Sequence, residues 1–317
     1  MQAVFLDYET VSHGDLDTTT LIAALPALRF YQSTDAAQID ERIRSAEVVL
    51  VNKLRLGREQ LAAAARVRLV LLAATGTDNV DLAAAAERGI GVCNVRGYCT
   101  PSVVQHVWAM ILSLTQHLPE YRALAVDGSW AGSAHFTVLT HPIRELAGRT
   151  LGIVGWGELG RGVAAVAAAF GMRVLTADRP GAAPQSSRVP LRELLATADI
   201  VSLHCPLNDA TRGLIGRAEL ALMKPDALLI NTARGALIDG RALADALLSG
   251  KLGGAGIDVL PREPPADGDP LLNAAIPNLL LTPHVAWAAR ESRQRCIDEM
   301  AANARDFLRG GRRGRVV

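Results

Sequence analysis

Cysteine is scarce in this chain, with Cys93, Cys99, Cys205 and Cys296 the only four, and none shares a Cys-x-x-Cys spacing. That excludes a disulfide framework and leaves reduced structural thiols. Seven histidines form no cluster with metal-ligand spacing, so no metal is expected. An excess of one charge is missing too: 33 basic residues face 32 acidic ones, which removes any compositional reason to expect nucleic acid as a partner. The one basic cluster, Arg309 to Arg315, reads as a solvated C-terminus. No apolar stretch reaches membrane-spanning length, and Met1 to Asp7 reads as a strand without a basic leader or cleavage site. The expectation is therefore no membrane partner and a cytoplasmic location.

What is present is apolar material, 50% of 317 residues, enough for about two domains with cores of their own. Short apolar runs at Val4 to Leu6, Ala27 to Tyr31, Val48 to Val51, Leu69 to Leu72 and Gly91 to Val95 alternate with helical stretches such as Arg58 to Arg66 and Leu82 to Glu87. The rhythm restarts at Leu151, with runs at Val174 to Ala177, Ile200 to Leu203, Leu228 to Asn231, Gly254 to Asp258 and Leu279 to Thr282. Such alternation predicts two α/β domains, each a doubly wound parallel sheet. Between them, Pro101 to Leu114 reads as a buried helix with proline in its first turn. A last helix over Ala288 to Leu308 is placed to return to the first domain. The expected division is residues 1–97 completed by 288–317, and residues 98–287. The irregular stretch Asp127 to Phe136 is a candidate subunit contact, so a homodimer is expected.

The motif with the clearest chemistry is Gly155-x-Gly157-x-x-Gly160, which follows the strand-like Leu151 to Val154 and opens the alanine-rich helical run Leu159 to Phe170. Gly155 allows a tight turn, Gly157 lets backbone approach a pyrophosphate, and Gly160 lets helix and strand pack closely. Phosphates then lie at the helix N-terminus, against the amides of Glu158, Leu159 and Gly160. Asp178, at the end of the next strand-like run, is placed to bond a ribose 2′-hydroxyl and repel a 2′-phosphate. This makes the fold of the second domain Rossmann-type and the cofactor NAD, although Arg179 beside Asp178 leaves room for NADP.

Reduction of a carbonyl by hydride needs a proton donor, a cation for a carboxylate or developing oxyanion, and a group that tunes the donor. Arg234, Glu263 and His284 each lie just past the carboxyl end of a predicted strand of this domain, where open parallel sheets bind ligands. Singly, each also fits a bland reading: a surface ion-pair residue, a solvated loop acid, a histidine opening a helix. Their joint placement favours catalysis.

The chain resembles the D-2-hydroxyacid dehydrogenases over nearly its whole length. The resemblance is carried by Glu145 to Gly155, His204-Cys205-Pro206-Leu207, Asn231-Thr232-Ala233-Arg234-Gly235, Gly256 to Val259 with Glu263-Pro264, Pro283-His284, and the loop Ala74-Thr75-Gly76-Thr77-Asp78-Asn79-Val80-Asp81. It implies a flavodoxin-like substrate domain beside the Rossmann domain. It implies that Arg234 binds the substrate's carboxylate and carbonyl oxygen, that His284 is the acid/base, and that Glu263 pairs with it. Cys205, Pro206, Thr232 and Ala233 would join the cofactor residues, as would Arg234 and His284. Asp258 would face the nicotinamide, unless it is only a strand-end cap, and the amides around Thr75 and Gly76 would hold the carboxylate, unless they form a plain turn.

Within the family, Asn52-Lys53, the Thr75-Gly76 loop and His284-Val285-Ala286-Trp287 are most similar to hydroxypyruvate reductases, also called glycerate dehydrogenases. Trp287 would narrow the substrate pocket, or simply pack at a domain seam; Lys53 is a substrate group or a surface lysine. The expected reaction is NADH-dependent reduction of hydroxypyruvate to D-glycerate. Glyoxylate, pyruvate or a bulkier 2-keto acid are the alternative substrates, and an NAD-sensing interaction protein without turnover is the alternative of another class.

Overall fold

In a computed structural model, residues 1–179 and 187–317 are described, and they form two compact units, Met1–Cys99 with Trp287–Val317, and Thr100–Ala286. The first unit begins with β1 (Gln2–Phe5), α1 (Thr19–Ala24), β2 (Ala27–Phe30), α2 (Ile39–Ile43), β3 (Val48–Val51), α3 (Arg58–Ala63), β4 (Leu69–Leu72), α4 (Leu82–Glu87) and β5 (Gly91–Cys93). Its sheet has the order β2-β1-β3-β4-β5, all parallel, which is the flavodoxin-like order. Every residue of β3 and β4 is buried. Unbroken apolar runs of this kind mark strands covered on both faces, as the crossovers of a parallel sheet require.

The second unit contains α5 (Thr100–Gln116), α6 (Leu118–Val126), β6 (Thr150–Val154), α7 (Glu158–Ala169), β7 (Arg173–Thr176), α8 (Leu191–Thr197), β8 (Ile200–Leu203), α9 (Arg217–Leu220), β9 (Leu228–Asn231), α10 (Gly240–Leu248), β10 (Gly254–Ile257) and β11 (Leu279–Leu281). Its six strands are parallel in the order β11-β10-β9-β8-β6-β7. A lone parallel bridge, Ala177 to Val189, extends the sheet beyond β7. The chain reverses its direction of strand addition between β6 and β8, so the carboxyl ends of these two strands border the crevice where such sheets take ligands. Helix α5 lies on this sheet so closely that a side chain at Gly256 would meet Met110 at 3.0 Å.

After Ala286 the chain re-enters the first unit and forms α11 (Arg290–Leu308). One face of the first sheet presents Phe5, Leu50, Leu69 and Leu71 to Cys296, Ile297, Met300 and Ala301 of this helix. The other presents Val4, Leu6, Val49, Val51, Val70 and Leu72 to Ile39, Ile43, Leu61 and Ala84. Alternate residues of each strand thus feed opposite cores, as the two-residue strand period demands. Among the described residues no helix is long and apolar enough to cross a membrane.

Candidate active site

The three glycines after β6 have three distinct structural reasons. Gly155 has φ +105, and a side chain there would place its first carbon 2.5 Å from the backbone of His204 and Cys205. Only glycine tolerates both the angle and the approach, so Gly155 lets β6 turn hard against the end of β8. Gly160 sits 2.1 Å, measured to an added Cβ, from the Gly155 carbonyl oxygen, which locks the first turn of α7 under the glycine turn. Gly157 is different: it precedes α7, space over it is open, and no side chain caps the helix. The first-turn amides of Glu158, Leu159 and Gly160 have no intrahelical acceptor, and with the helix dipole they favour an anion. The Glu158 carboxylate is turned aside, accepting a 2.6 Å hydrogen bond from the Thr100 hydroxyl.

Asp178 stands just past β7, half-buried, its amide donating to the Val189 carbonyl at 2.9 Å. Past β8, Cys205 is buried, which pushes its thiol above the ordinary range and leaves it uncharged. The Pro206 carbonyl is held by the Thr211 hydroxyl at 2.7 Å. Among the described residues, two buried side-chain polar atoms have no hydrogen-bond partner, Thr232 Oγ1 and His204 Nδ1, just past the adjacent strands β9 and β8. Burial pushes the His204 imidazole down to about 4, so it is neutral near pH 7, with Nε2 against Ser202 Oγ at 2.9 Å. An open, uncapped helix start past β6 and an orphaned buried hydroxyl past β9 of the same sheet fit a dinucleotide.

Arg234, Glu263 and His284 lie past the ends of β9, β10 and β11. Asn231 is fully buried, and its carboxamide accepts from the Ala233 amide at 3.0 Å and donates to the Arg234 carbonyl at 2.9 Å, closing the turn that carries Arg234. The guanidinium donates to the Ala233 carbonyl at 2.7 Å. An added Cβ on Gly235 would lie 2.0 Å from the Leu260 carbonyl carbon, so the Arg234 loop packs backbone to backbone on the loop leading to Glu263. One carboxylate oxygen of Glu263 accepts from the Leu260 amide at 2.8 Å, and the other lies 2.5 Å from His284 Nδ1. With Nδ1 committed to a carboxylate, Nε2 is the ring nitrogen that can serve substrate.

His284 has φ +56, a left-handed conformation that disfavours a residue with a side chain by about 1–3 kcal/mol. Asp258 holds it there. The carboxylate, 1% exposed, accepts from the Thr282 hydroxyl (2.6 Å) and from the amides of Val285 (2.9 Å) and Ala286 (2.9 Å), while its own carbonyl accepts from the His284 amide (2.8 Å). Asp258 is therefore a clamp on the His284 loop. Asn231 and Gly235 stand in the motif that carries the resemblance, but the sequence assigned them no role, and for Asp258 it offered a cofactor contact or a strand-end cap. An asparagine at the end of a strand, three positions before Arg234, was the available signal for the first.

The residues expected to face substrate in the first unit stand on loops pinned in the same manner. The Asp7 carboxylate, 3% exposed, accepts from three consecutive amides after β3: Asn52 (2.8 Å), Lys53 (2.7 Å) and Leu54 (3.0 Å). The Lys53 side chain is exposed. After β4, Thr75 donates to the Val95 carbonyl at 2.8 Å, and its own carbonyl accepts from Asn94 Nδ2 at 2.7 Å; Thr75 is exposed and Gly76 beside it is half-buried. Trp287 packs edge-on against Tyr98, ring centroids 6.4 Å apart, at the margin of the core that contains α11. Among the described residues no group of three or more histidine, cysteine, aspartate or glutamate side chains is arranged to hold a metal.

Known proteins match this chain in sequence and in fold. Residues 108–286 match the family model described as the NAD-binding domain of D-isomer-specific 2-hydroxyacid dehydrogenases. The chain is 41% identical over 311 residues to a glycerate dehydrogenase of Methylorubrum extorquens, covering 98% of this chain and 96% of that protein. It is 36% identical to a hydroxypyruvate reductase of Blautia hydrogenotrophica, covering 98% of each. Among solved structures, the TT0316 protein from Thermus thermophilus superposes with a TM-score of 0.87 at 35% identity, covering 100% of both chains.

Proposed function

The chain belongs to the D-isomer-specific 2-hydroxyacid dehydrogenase family and is an NAD-dependent oxidoreductase of hydroxyacids; from that premise we propose that its substrate pair is hydroxypyruvate and D-glycerate. The observation that supports the chemistry best is the 2.5 Å contact between His284 Nδ1 and Glu263, at the ends of neighbouring strands and beside the Arg234 turn. In the reducing direction the His284 imidazolium gives its Nε2 proton to the carbonyl oxygen. Glu263 fixes the ring orientation through Nδ1 and leaves Nε2 for the substrate. Arg234 takes the substrate carboxylate and offsets negative charge as it develops on the oxygen. Bound NADH supplies the hydride. In the reverse direction His284 begins neutral and accepts the proton.

Thr75 and Gly76, through their amides, and Lys53 are the groups we assign to substrate on the first unit. Two relatives that this chain matches over 98% of its length carry the names glycerate dehydrogenase and hydroxypyruvate reductase, which supports the choice of substrate. A site with polar groups placed for the C3 hydroxyl discriminates against an acid that lacks it, since those groups are then left unpaired. The test is NADH oxidation by the full chain against a panel of 2-keto acids. Hydroxypyruvate is expected to have the highest kcat/KM, then glyoxylate, then pyruvate, with phenylpyruvate poorest. Preference for phenylpyruvate or a branched acid overturns the substrate, and no turnover of any acid overturns the activity.

We also propose a homodimer. The segment after α6 exposes Trp130, Phe136, Leu139 and Ile143, with Phe136 91% accessible, and apolar patches of this kind mark interfaces. Sedimentation at micromolar concentration is expected to give twice the chain mass; a monomer there refutes it.

A further inference from the structure

The loop from Thr282 to Ala286, which carries His284, is held from a second side. Helix α5 buries Val103, Val107, Met110 and Ile111. Ser102 and His106, four residues apart and hence one above the other on the helix, both reach this loop. Ser102 Oγ donates to the Ala286 carbonyl at 2.7 Å, and His106 Nε2 lies 3.1 Å from Thr282 Oγ1. These contacts bracket His284, two residues on either side.

The protons in this network are assignable. Thr282 has one hydroxyl proton, and the 2.6 Å contact with Asp258 Oδ1 takes it, because the carboxylate can only accept. Thr282 Oγ1 therefore offers lone pairs to His106, and His106 Nε2 must carry the hydrogen. The result is a directed chain: His106 N–H to Thr282 O–H to the Asp258 carboxylate, which in turn accepts the Val285 and Ala286 amides. His106 Nε2 is also 3.6 Å from Asp258 Oδ1, and the His106 side chain is 21% accessible while that of Asp258 is 0% accessible. Removing the N–H donor leaves Thr282 Oγ1 short of a partner beside a buried carboxylate. The loop that must keep His284 at φ +56 then loses one of its two outer braces.

We propose that Ser102 and His106 are positioning residues for the acid/base histidine, acting through Ala286 and through the Thr282–Asp258 pair. Neither touches substrate in this assignment; each fixes the backbone from which His284 meets Glu263. The proposal rests on the reading of His284 as the proton donor. Displacing a catalytic group by a fraction of an ångström lowers kcat and leaves cofactor binding alone, which separates positioning from general loss of structure.

The experiment uses the full chain with isotope-labelled histidine and pairs nuclear magnetic resonance of the ring nitrogens with steady-state kinetics. In the unmutated protein, His106 is expected to carry its proton on Nε2. His106→Leu should shift the ring resonances of His284, assigned by their loss in His284→Gln. It should lower kcat by roughly 10-fold to 100-fold while the NADH dissociation constant, read by fluorescence, stays within about twofold. His106→Gln keeps an N–H donor near the position of Nε2 and should restore kcat to within about threefold, while Ser102→Ala combined with His106→Leu should lower kcat beyond the single variant. A bare Nε2 on His106, or unchanged His284 resonances and kcat in a folded His106→Leu, overturns the proposal. Should the unmutated protein turn over no 2-keto acid, the functional reading falls instead, and the ring resonances still decide whether His106 positions His284.

Discussion

At the turn from β6 into α7 the site is shaped by side chains that are absent, whereas past β9, β10 and β11 it is shaped by side chains buried for the purpose. Gly155 and Gly160 leave no room for another carbon, and the groups we propose for the cofactor phosphates are backbone amides. Asn231 and Asp258 instead fill their surroundings with hydrogen bonds, and the groups they place, Arg234 and His284, are titratable side chains. The difference follows from the ligands. A pyrophosphate is met well by amides in a fixed helix frame, which needs only clearance. A proton donor must be held by its ring orientation, so its backbone and its second nitrogen both need partners. The first unit uses the second method, with Asp7 and Asn94 pinning the loops of Lys53 and Thr75.

The largest expected effect is on the polar half. His284→Ala should lower kcat by about 100-fold or more, the usual scale for losing a positioned general acid, with NADH affinity by fluorescence titration near normal. Turnover at the unmutated rate would mean that another group supplies the proton, and the polar half would lose its chemical rationale.

A paired measurement sharpens the contrast. Gly160→Ala adds a carbon 2.1 Å from the Gly155 carbonyl oxygen, so the helix start must move; weaker NADH binding is expected to dominate, with kcat at saturating NADH less affected. Asn231→Ala unpairs the part-buried Ala233 amide and Arg234 carbonyl, at about 1 kcal/mol of stability, and should lower kcat more than NADH affinity. Equal losses of both parameters in both variants would erase the distinction between the halves.

His204 lies where the halves meet, its backbone against Gly155 and its ring on Ser202. Its folded value of about 4 is below the ordinary 6.5, so between those limits the unfolded chain binds more protons than the folded one. Stability from this group is complete above about pH 6.5 and is lost as pH falls toward 4, by up to about 3 kcal/mol. His204→Leu should flatten the dependence of Tm on pH across that window. An identical slope in the variant would show that the ring is not buried neutral.

The sequence was informative wherever a feature is local. Unbroken apolar runs announce β3 and β4 because both faces of a parallel sheet are covered, and the glycine spacing after β6 announces its own turn and helix. Strand ends are local too, which is why Arg234, Glu263 and His284 were visible as residues past the ends of neighbouring strands. The clamps were not. Asp258 and its partners Thr282, Val285 and Ala286 are 24 to 28 positions apart, and His106 is 176 positions from Thr282. No periodicity relates such positions; only strand order and the packing of α5 bring them together. For the same reason the grip of Asp258 on the His284 loop is seen only in the fold, where the sequence offered a cofactor contact or a strand-end cap.

The smallest expected effect concerns Asp178 and asks whether the glycine half also uses a side chain. It follows β7, the strand beside β6, and is half-buried with its amide fixed by Val189. A carboxylate there accepts from a ribose hydroxyl and repels a 2′-phosphate, and Arg179 next to it is the cation that would attract one. The unmutated enzyme should therefore favour NADH over NADPH in kcat/KM. Asp178→Ala should shrink that ratio by about tenfold, the equivalent of one partly screened charge contact of about 1.4 kcal/mol, chiefly through a lower KM for NADPH. Preference unchanged by the substitution would mean that backbone and clearance alone choose the cofactor, and that the glycine half works without any charged side chain.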